Sequence, residues 1–265
     1  MAGKARVEVF ESKGDVAAAA AARVAAAIDA AQGRREIVTL ALAGGSTPRA
    51  LYQSWAASPD GMAWSKLHVL FGDERCVPPE HGDSNYRMAR EAMLDALAEA
   101  GHLPAERVFR MKGELEPRAG AADYARELAA LFGLGAGEQP RIDVVLLGMG
   151  DDGHTASLFP GTRALDAQPG DVVVENYVEK LDAHRLTLTA HCINAAREVI
   201  FIVTGEGKAP ALREVLVGDR DEQRYPSQLV APTDGQLTFL VDRAAAAELP
   251  RTHEYITRID HGADA

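Results

Sequence analysis

Cysteine is scarce in this sequence, since Cys76 and Cys192 are the only two among 265 residues. Two cysteines are too few for a disulfide framework or a structural zinc site, and no H-E-x-x-H spacing occurs, so we expect no metal. Positive charge is also in deficit, because 28 Lys and Arg face 39 Asp and Glu, giving a formal net charge of -11. A general nucleic-acid binder needs a basic surface, so we expect no nucleic-acid partner, although a few local cations could still bind a small anion.

Long apolar runs are absent as well. The first ten residues, MAGKARVEVF, lack the apolar core of a signal peptide, and no run approaches the length of a membrane span. We therefore expect a cytoplasmic protein without a membrane partner. For its oligomeric state, which the sequence does not determine, we expect a monomer or a small homo-oligomer.

The order of apolar runs and helical stretches predicts the fold class. With 47% hydrophobic and 25% charged residues, the chain fits one large α/β domain over residues 1–265, with or without a small accessory lobe. Strands alternate with helices, which predicts a layered, mostly parallel sheet flanked by helices. The predicted strands are Val7–Phe10, Glu36–Ala43, Leu67–Phe71, Ile142–Leu147, Asp171–Val178, Arg185–Thr189, Val199–Val203 and Leu237–Val241. The predicted helices are Val16–Gln32, Arg49–Trp55, Asn85–Ala100, Arg118–Phe132, Ala209–Val217 and Asp242–Leu249, with Asp15 and Ser84 as N-caps.

The segment Arg141–Gly161, RIDVVLLGMGDDGHTASLFPG, is the most informative stretch of the chain. Its apolar run reads as a strand buried on both faces, and three glycines after it allow a tight turn. That turn carries Asp151, Asp152 and His154. Ligands of open α/β sheets bind beyond the carboxyl ends of the strands, so these side chains are placed where chemistry usually occurs.

Two other interpretations of this turn remain open. Gly148, Gly150 and Gly153 match the dinucleotide pattern G-x-G-x-x-G, but that pattern should open a long helix, and Pro160 and Gly161 follow within two turns. The second interpretation is a polar loop in which His154 only fills space or caps the turn.

A second glycine turn follows the strand Glu36–Ala43, with the sequence Gly44-Gly45-Ser46-Thr47-Pro48. We expect Ser46 or Thr47 as the N-cap of the next helix and Pro48 at its first position. Free N–H groups and the positive end of the helix dipole would make this turn a phosphate site, with the two hydroxyls as added donors. The alternative is an ordinary capped turn.

Charged side chains follow two further predicted strands. Asp73 and Arg75 come after Leu67–Phe71, either as a salt-bridged surface turn or in the same crevice as His154. Arginine suits bidentate capture of anions. Lys208 begins the helix Ala209–Val217, where a cation is unfavourable unless an anion binds beside it.

Four segments in this order resemble the 6-phosphogluconolactonase family. They are LALAGGSTPRALY, FGDERCVPPEHGDSNYRMAREAML, IDVVLLGMGDDGHTASLFPG and VIFIVTGEGKAPALREVL, and the resemblance extends over most of the chain. The family belongs to a wider group with the glucosamine-6-phosphate deaminases and isomerases. The resemblance implies a Rossmann-like sheet, a sugar-phosphate site and hydrolysis of 6-phospho-D-glucono-1,5-lactone, the second step of the oxidative pentose phosphate pathway. It implies no metal and no organic cofactor.

The resemblance also implies roles for individual residues. His154 would transfer the proton, with Asp152 beside it, while Asp73 and Arg75 would line the site. The phosphate would be bound by the glycine turn and by two cations, that is, by Gly44, Gly45, Ser46, Thr47, Arg185 and Lys208.

The chemistry of a lactone fits these residue types. Hydrolysis needs an activated water, a stabilised oxyanion and a protonated leaving alkoxide. A histidine can accept the proton of water and return it to the ring oxygen, and Asp152 could orient the imidazole. Oxyanion donors could be backbone N–H groups of the glycine turn or Arg75.

Two alternative functions are weighed against hydrolysis. In the deaminase branch, the resemblance implies a Glu five positions after the motif histidine, but here that position is Phe159, which cannot relay a proton. A non-catalytic sugar-phosphate sensor that controls transcription would need a DNA-binding module, and no segment is basic or long enough to provide one.

Overall fold

The computed structural model describes residues 5–254 and 256–261. The strands in these ranges are β1 (Ala5–Phe10), β2 (Val38–Leu42), β3 (Leu67–Phe71), β4 (Asp73–Arg75), β5 (Val144–Leu147), β6 (Val173–Val178), β7 (Ala183–Leu188), β8 (Glu198–Val203), β9 (Gln236–Asp242) and β10 (Ile256–Asp260). The α-helices are α1 (Lys13–Gln32), α2 (Ser46–Ala57), α3 (Asn85–Ala89), α4 (Asp95–Glu99), α5 (Pro117–Phe132), α6 (Ala190–Asn194) and α7 (Ala209–Val217). A π-helical turn, Arg90–Leu94, joins α3 to α4.

Two sheets organise the described residues. The larger has the order β10-β1-β9-β8-β5-β2-β3, and its neighbouring strands are all parallel. The smaller sheet, β4-β7-β6, is antiparallel. The prediction of a mostly parallel sheet flanked by helices is therefore confirmed. The small antiparallel sheet is separate from the parallel one.

The buried strands form because their residues are apolar on both faces. Every residue of β2 and of β5 is buried, as expected for strands covered on both sides by helices. Helix α1 packs a stripe of small and branched side chains inward, namely Val16, Ala20, Val24, Ile28 and Ala31. Alanines in this stripe let the helix approach its neighbours closely while favouring helix formation. No helix in the described ranges combines the length and apolarity needed to cross a bilayer.

Several predicted boundaries are wrong for identifiable reasons. Ser12, not Asp15, is the N-cap of α1, and Asp15 bonds back to the Ser12 amide to complete a capping box. The strand β5 begins at Val144, later than predicted, because the amide of Asp143 donates to the Thr39 hydroxyl (3.0 Å).

The end of the chain also differs from the prediction. Residues 243–249 form turns and not the predicted helix Asp242–Leu249. Alanine favours helix, but an eight-residue segment stopped by Pro250 is too short to form on propensity alone. The structure adds a strand, β10, which pairs in parallel with β1 at the edge of the sheet.

Candidate active site

Four adjacent strands bring the predicted site residues to one edge of the larger sheet. The strands β8, β5, β2 and β3 are neighbours in that order, and all four run in the same direction. Their carboxyl ends therefore lie together. The segments that follow them carry the two glycine turns, Asp73 and Lys208, so the sheet order brings these segments to one edge, where ligands of open α/β sheets bind.

The turn after β2 leaves a helix N-terminus without a side-chain cap. Gly45 is the N-cap of α2 with φ 109°, a conformation that favours glycine, and as a glycine it offers no side-chain acceptor to the first-turn amides. The prediction that Ser46 or Thr47 caps the helix is thus wrong, since both lie inside it, and Pro48 is the third helical residue instead of the first. This favours anion binding, because within residues 5–254 and 256–261 no side chain caps the N–H groups of this turn.

The same turn is tied to neighbouring loops by its small and polar residues. The Thr47 hydroxyl contacts the Thr204 hydroxyl at 3.0 Å, which joins the loops after β2 and β8. A side chain on Gly44 would collide with the amide of Asn85, so glycine is required there for close approach. The ammonium of Lys13, at the start of α1, donates to the Ser46 hydroxyl (3.2 Å) and brings a cation that the sequence analysis did not select.

Asp73 is buried beneath these loops and holds them together. Its side chain accepts a hydrogen bond from the Ser157 hydroxyl (2.7 Å) and another from the Asn85 amide (3.1 Å). These contacts link β4, the turn after β5 and the start of α3. Both carboxylate oxygens therefore accept hydrogen bonds from protein donors. Such a residue is suited to lining the site and holding its loops together.

Arg75 and Arg185 lie opposite each other in neighbouring strands of the small sheet. They are register partners in the antiparallel pair of β4 and β7. Burial lowers the pKa of Arg185, and the positive charge of Arg75 lowers it further, while Asp73 opposes the shift. Within the described ranges, neither guanidinium forms an ion pair; each donates to a backbone carbonyl, Arg75 to that of Asp83 and Arg185 to that of His184. Two unneutralised cations side by side are suited to binding an anion.

His154 and Asp152 form a hydrogen-bonded pair in the turn after β5. The imidazole Nδ1 lies 2.6 Å from Oδ1 of Asp152, and the His154 amide donates to the same oxygen at 3.1 Å. Both side chains are about three-quarters covered, with 27% of His154 and 25% of Asp152 exposed. The ring of Phe159 stacks on the imidazole, with centroids 4.0 Å apart and an angle of 24° between the planes.

The charge of Asp152 fixes the tautomer of His154. Burial opposes ionisation of Asp152, but hydrogen bonds from His154 and Lys180 outweigh it and lower the pKa of the carboxyl well below its ordinary value. An ionised carboxylate can only accept hydrogen bonds, so Nδ1 must carry the proton. In the neutral ring, Nε2 is then left unprotonated and can accept a proton from water.

Lys208 ends the short 3-10 turn Glu206–Lys208 and is the N-cap residue of α7. The loop before it is fixed by the buried Asp242, whose two oxygens both accept from the Gly205 amide at 3.0 Å. Among the described residues, the Lys208 ammonium has no hydrogen-bond or ion-pair partner. A cation that is half-buried and unpaired at a helix start is consistent with the predicted phosphate contact.

The most important residue that the sequence analysis missed is Lys180. Its ammonium bonds to Oδ2 of Asp152 and lies 5.0 Å from the centre of the Phe159 ring. No local signal could have found it, because it lies 28 residues from Asp152 in the turn between β6 and β7. Lys13 did carry a signal, since a lysine in the first turn of a helix is unfavourable in the same way as Lys208.

Glu74, between Asp73 and Arg75, has a structural role. It is 2% exposed and accepts hydrogen bonds from the amides of Asn85 and Tyr86 and from the Ser84 hydroxyl, so it caps the start of α3. Burial raises its pKa, although these hydrogen bonds oppose the shift.

Across residues 5–254 and 256–261, no group of three or more His, Cys, Asp or Glu side chains is arranged to hold a metal.

Comparison with known proteins extends over nearly the whole chain. A profile of the family described as glucosamine-6-phosphate isomerases/6-phosphogluconolactonase matches residues 11–239. A 6-phosphogluconolactonase of Nostoc sp. is 42% identical over 247 residues, which cover 93% of this chain and 99% of the relative. The human 6-phosphogluconolactonase is 38% identical over 245 residues, which cover 91% of this chain and 92% of the relative.

Solved structures agree with these sequence relatives. A 6-phosphogluconolactonase from Trypanosoma cruzi superposes with a TM-score of 0.82 at 29% identity, covering 94% of this chain and 98% of that one. The 6-phosphogluconolactonase from Trypanosoma brucei gives a TM-score of 0.81 at 30% identity, covering 94% of this chain and all of that one (100%). A monomeric glucosamine-6-phosphate deaminase shares the fold, with a TM-score of 0.74, but is only 20% identical.

Proposed function

This chain belongs to the glucosamine-6-phosphate isomerase/6-phosphogluconolactonase family, and from that premise we propose that it hydrolyses 6-phospho-D-glucono-1,5-lactone to 6-phospho-D-gluconate. The observation that carries the proposal is the His154–Asp152 pair, with a 2.6 Å contact through Nδ1. This contact leaves Nε2 as the ring nitrogen that is available for proton transfer. The pair follows β5, whose neighbour β2 leads into the uncapped helix start at Gly45.

In the proposed reaction, His154 transfers one proton twice. A water molecule attacks the lactone carbonyl carbon while Nε2 accepts its proton, which forms a tetrahedral oxyanion and an imidazolium. The bond from that carbon to the ring oxygen then breaks, and the imidazolium returns the proton to the ring oxygen. Asp152 holds the ring in the required tautomer and stabilises its charged form. Arg75 or the backbone N–H groups of the glycine turn would stabilise the oxyanion.

The substrate phosphate would be bound at the start of α2. Free N–H groups and the helix dipole supply the first part of the site, formed by Gly44, Gly45, Ser46 and Thr47. Lys208 and Arg185 supply positive charge, while the buried Asp73 supports the loops. In this proposal the phosphate would lie at the start of α2 and the reacting carbonyl near His154.

Phe159 argues against the deaminase alternative on the same fold. Its ring lies flat against His154 at 4.0 Å, so an apolar group occupies the position at which that branch would have a Glu. No second proton carrier is therefore available there. A lactone is a closed ester and needs water attack only, so it loses nothing by this replacement.

The proposal also covers the setting of the enzyme. It would act in the cytoplasm in the second step of the oxidative pentose phosphate pathway, as one unit over residues 1–265, without a cofactor. Its partner would be the sugar-phosphate lactone alone.

The proposal is tested by following proton release from the lactone with purified protein, after subtraction of spontaneous hydrolysis. We expect hydrolysis well above the background and no ammonia from glucosamine-6-phosphate. Ammonia release without lactone hydrolysis would assign the chain to the deaminase branch, and tight binding without any turnover would favour a sensor.

A further inference from the structure

Lys180 contacts two of the groups that surround the imidazole of His154. It lies in the 3-10 turn Glu179–Leu181, which joins β6 to β7 in the small sheet. Its ammonium bonds to Oδ2 of Asp152, while Oδ1 of the same carboxylate bonds to His154. It also lies 5.0 Å from the centre of the Phe159 ring that stacks on the imidazole. One carboxylate is therefore shared between a lysine and the histidine.

We propose that Lys180 is a positioning residue for the hydrolysis, which fixes the Asp152 carboxylate against His154 and opposes protonation of the imidazole by adding a second positive charge beside that carboxylate. This inference rests on the proposed function, because a neutral imidazole matters only where His154 must accept a proton from water. Lys180 would not touch the reacting atoms; it would act through Asp152.

The physical reason is competition for one negative charge. An imidazolium next to a carboxylate is stabilised by it, whereas a second cation nearby opposes protonation of the ring. Lys180 supplies that second cation and neutralises part of the Asp152 charge. It also holds Oδ2, so the carboxylate cannot rotate away from Nδ1. The carboxylate is thereby held in the orientation that bonds to Nδ1, which leaves Nε2 as the ring nitrogen for proton transfer.

The surrounding charges do not provide the same effect. The turn borders a cavity of about 950 Å³, whose charged or titratable lining, besides Asp152 and Lys180, comprises Glu116, Arg118, Arg163, Glu175, Tyr177, Glu179 and His184. Arg118 and His184 both lie against Glu175, at 3.7 and 3.4 Å, and not against the His154–Asp152 pair. Asp151, on the same turn as the pair, is exposed to solvent. In the part of the chain that the structure describes, none of these side chains bonds to Asp152 or His154.

The test compares the pH dependence of kcat/KM in wild type, Lys180→Met and Lys180→Arg. Without the ammonium, the imidazolium would be stabilised by Asp152 alone, so His154 would remain protonated to a higher pH. We expect the acidic limb of the Lys180→Met profile to move to higher pH by roughly 0.5 to 1 unit, the range expected for a partly screened charge. Lys180→Arg, which keeps the charge, should restore the wild-type limb.

The matched control is Lys66→Met, which removes the same charge just before β3, at the opposite end of the strands. Its profile should coincide with that of wild type. A Lys180→Met limb that also coincides with wild type would overturn the proposal. Lys180 is half exposed, so the variant should fold; Lys180→Gln provides a second neutral variant whose limb must move in the same direction.

A titration without substrate separates this inference from the proposed function. The imidazole signal of His154, identified by its loss in His154→Gln, is followed by NMR as the pH is changed. Its midpoint should rise in Lys180→Met and return in Lys180→Arg. If wild type hydrolyses the lactone but the midpoint does not move, the role of Lys180 is refuted and the function stands. If wild type is inactive, the proposed function fails, and the midpoint alone decides whether Lys180 sets the charge of His154.

Discussion

At the residue scale, one of the tightest positions of the site is a glycine, Gly150. A Cβ on Gly150 would collide with Nδ1 of His154 and with the carboxylate of Asp152. The pair at 2.6 Å exists because Gly150 leaves room for it. In the sequence, Gly150 is recognisable only as part of a flexible turn, since steric exclusion between residues four apart cannot be deduced from their spacing.

Gly150→Ala should therefore separate His154 from Asp152. We expect turnover to fall by about 10²-fold or more, because the added methyl group displaces the imidazole and general acid–base catalysis contributes about that much. Gly148→Ala is the matched control, since a Cβ there meets nothing within 4 Å. Steady-state kinetics are measured on both variants, with folding checked by circular dichroism. Equal losses of activity in the two variants would contradict this explanation.

Asp152→Asn should change the pH dependence in the direction opposite to Lys180→Met. Asn keeps the shape but removes the negative charge, so the imidazolium loses stabilisation and the acidic limb of kcat/KM should move to lower pH. Turnover should also fall, by up to about 10⁴-fold, because the Asn amide group can bond to the ring in the wrong tautomer. The pH–rate profile checks this prediction, and a limb that moved to higher pH would contradict it.

The lowered pKa of Asp152 also predicts how stability depends on pH. A carboxyl whose pKa is lower in the folded state contributes stability that is fully present above its unfolded value of about 3.9 and is lost as pH falls towards the folded value. The free energy of unfolding of wild type, relative to Asp152→Asn, should thus decline below about pH 4. Urea unfolding at pH 6 and at pH 3 measures the difference, and a constant value would be inconsistent with the ion pairs seen here.

At the element scale, helix starts and strand register would together create the proposed anion site. Helix α2 begins without a side-chain cap, and Lys208 is the N-cap residue of α7. Register places Arg75 opposite Arg185 in the small antiparallel sheet. Such pairing joins segments more than a hundred residues apart in sequence, which is why a linear pattern cannot predict it.

Lys208→Ala should weaken binding of 6-phosphogluconate much more than binding of gluconate. A lost charge-assisted hydrogen bond to phosphate would cost roughly 1.5–3 kcal/mol, whereas the unphosphorylated acid makes no such contact. Isothermal titration of both ligands measures the two losses. Equal losses for the two ligands would remove Lys208 from the phosphate site, and Lys66→Ala serves as the control lysine.

At the scale of the whole molecule, the sequence predicts the layers better than it predicts their connections. Buried strands such as Leu67–Phe71 are found at the predicted residues, because apolar runs bounded by glycine and charge have few alternatives in a layered fold. The order of the strands, the added β10 and the Lys180 contact depend on long-range packing. They are not encoded in local composition, so the structure was required to find them.

The residues of the candidate site can likewise be divided into those with a local signal in the sequence and those without one. His154, Asp152 and the turn at Gly45 carry local signals, namely glycine turns after buried strands. Lys180 and the packing role of Gly150 become visible only when the chain is folded. A net charge of -11 likewise conceals a local cluster of cations at the carboxyl edge of the sheet, because charge sums ignore position.

The central claim is that His154 carries the proton in lactone hydrolysis, and its most direct test is the turnover number of His154→Gln. Glutamine keeps hydrogen-bonding capacity but cannot accept and return a proton. With spontaneous hydrolysis subtracted and folding verified, we predict a loss of about 10²–10⁴-fold in kcat and little change in stability. Turnover near that of wild type would contradict the account, because His154 would then only shape the turn.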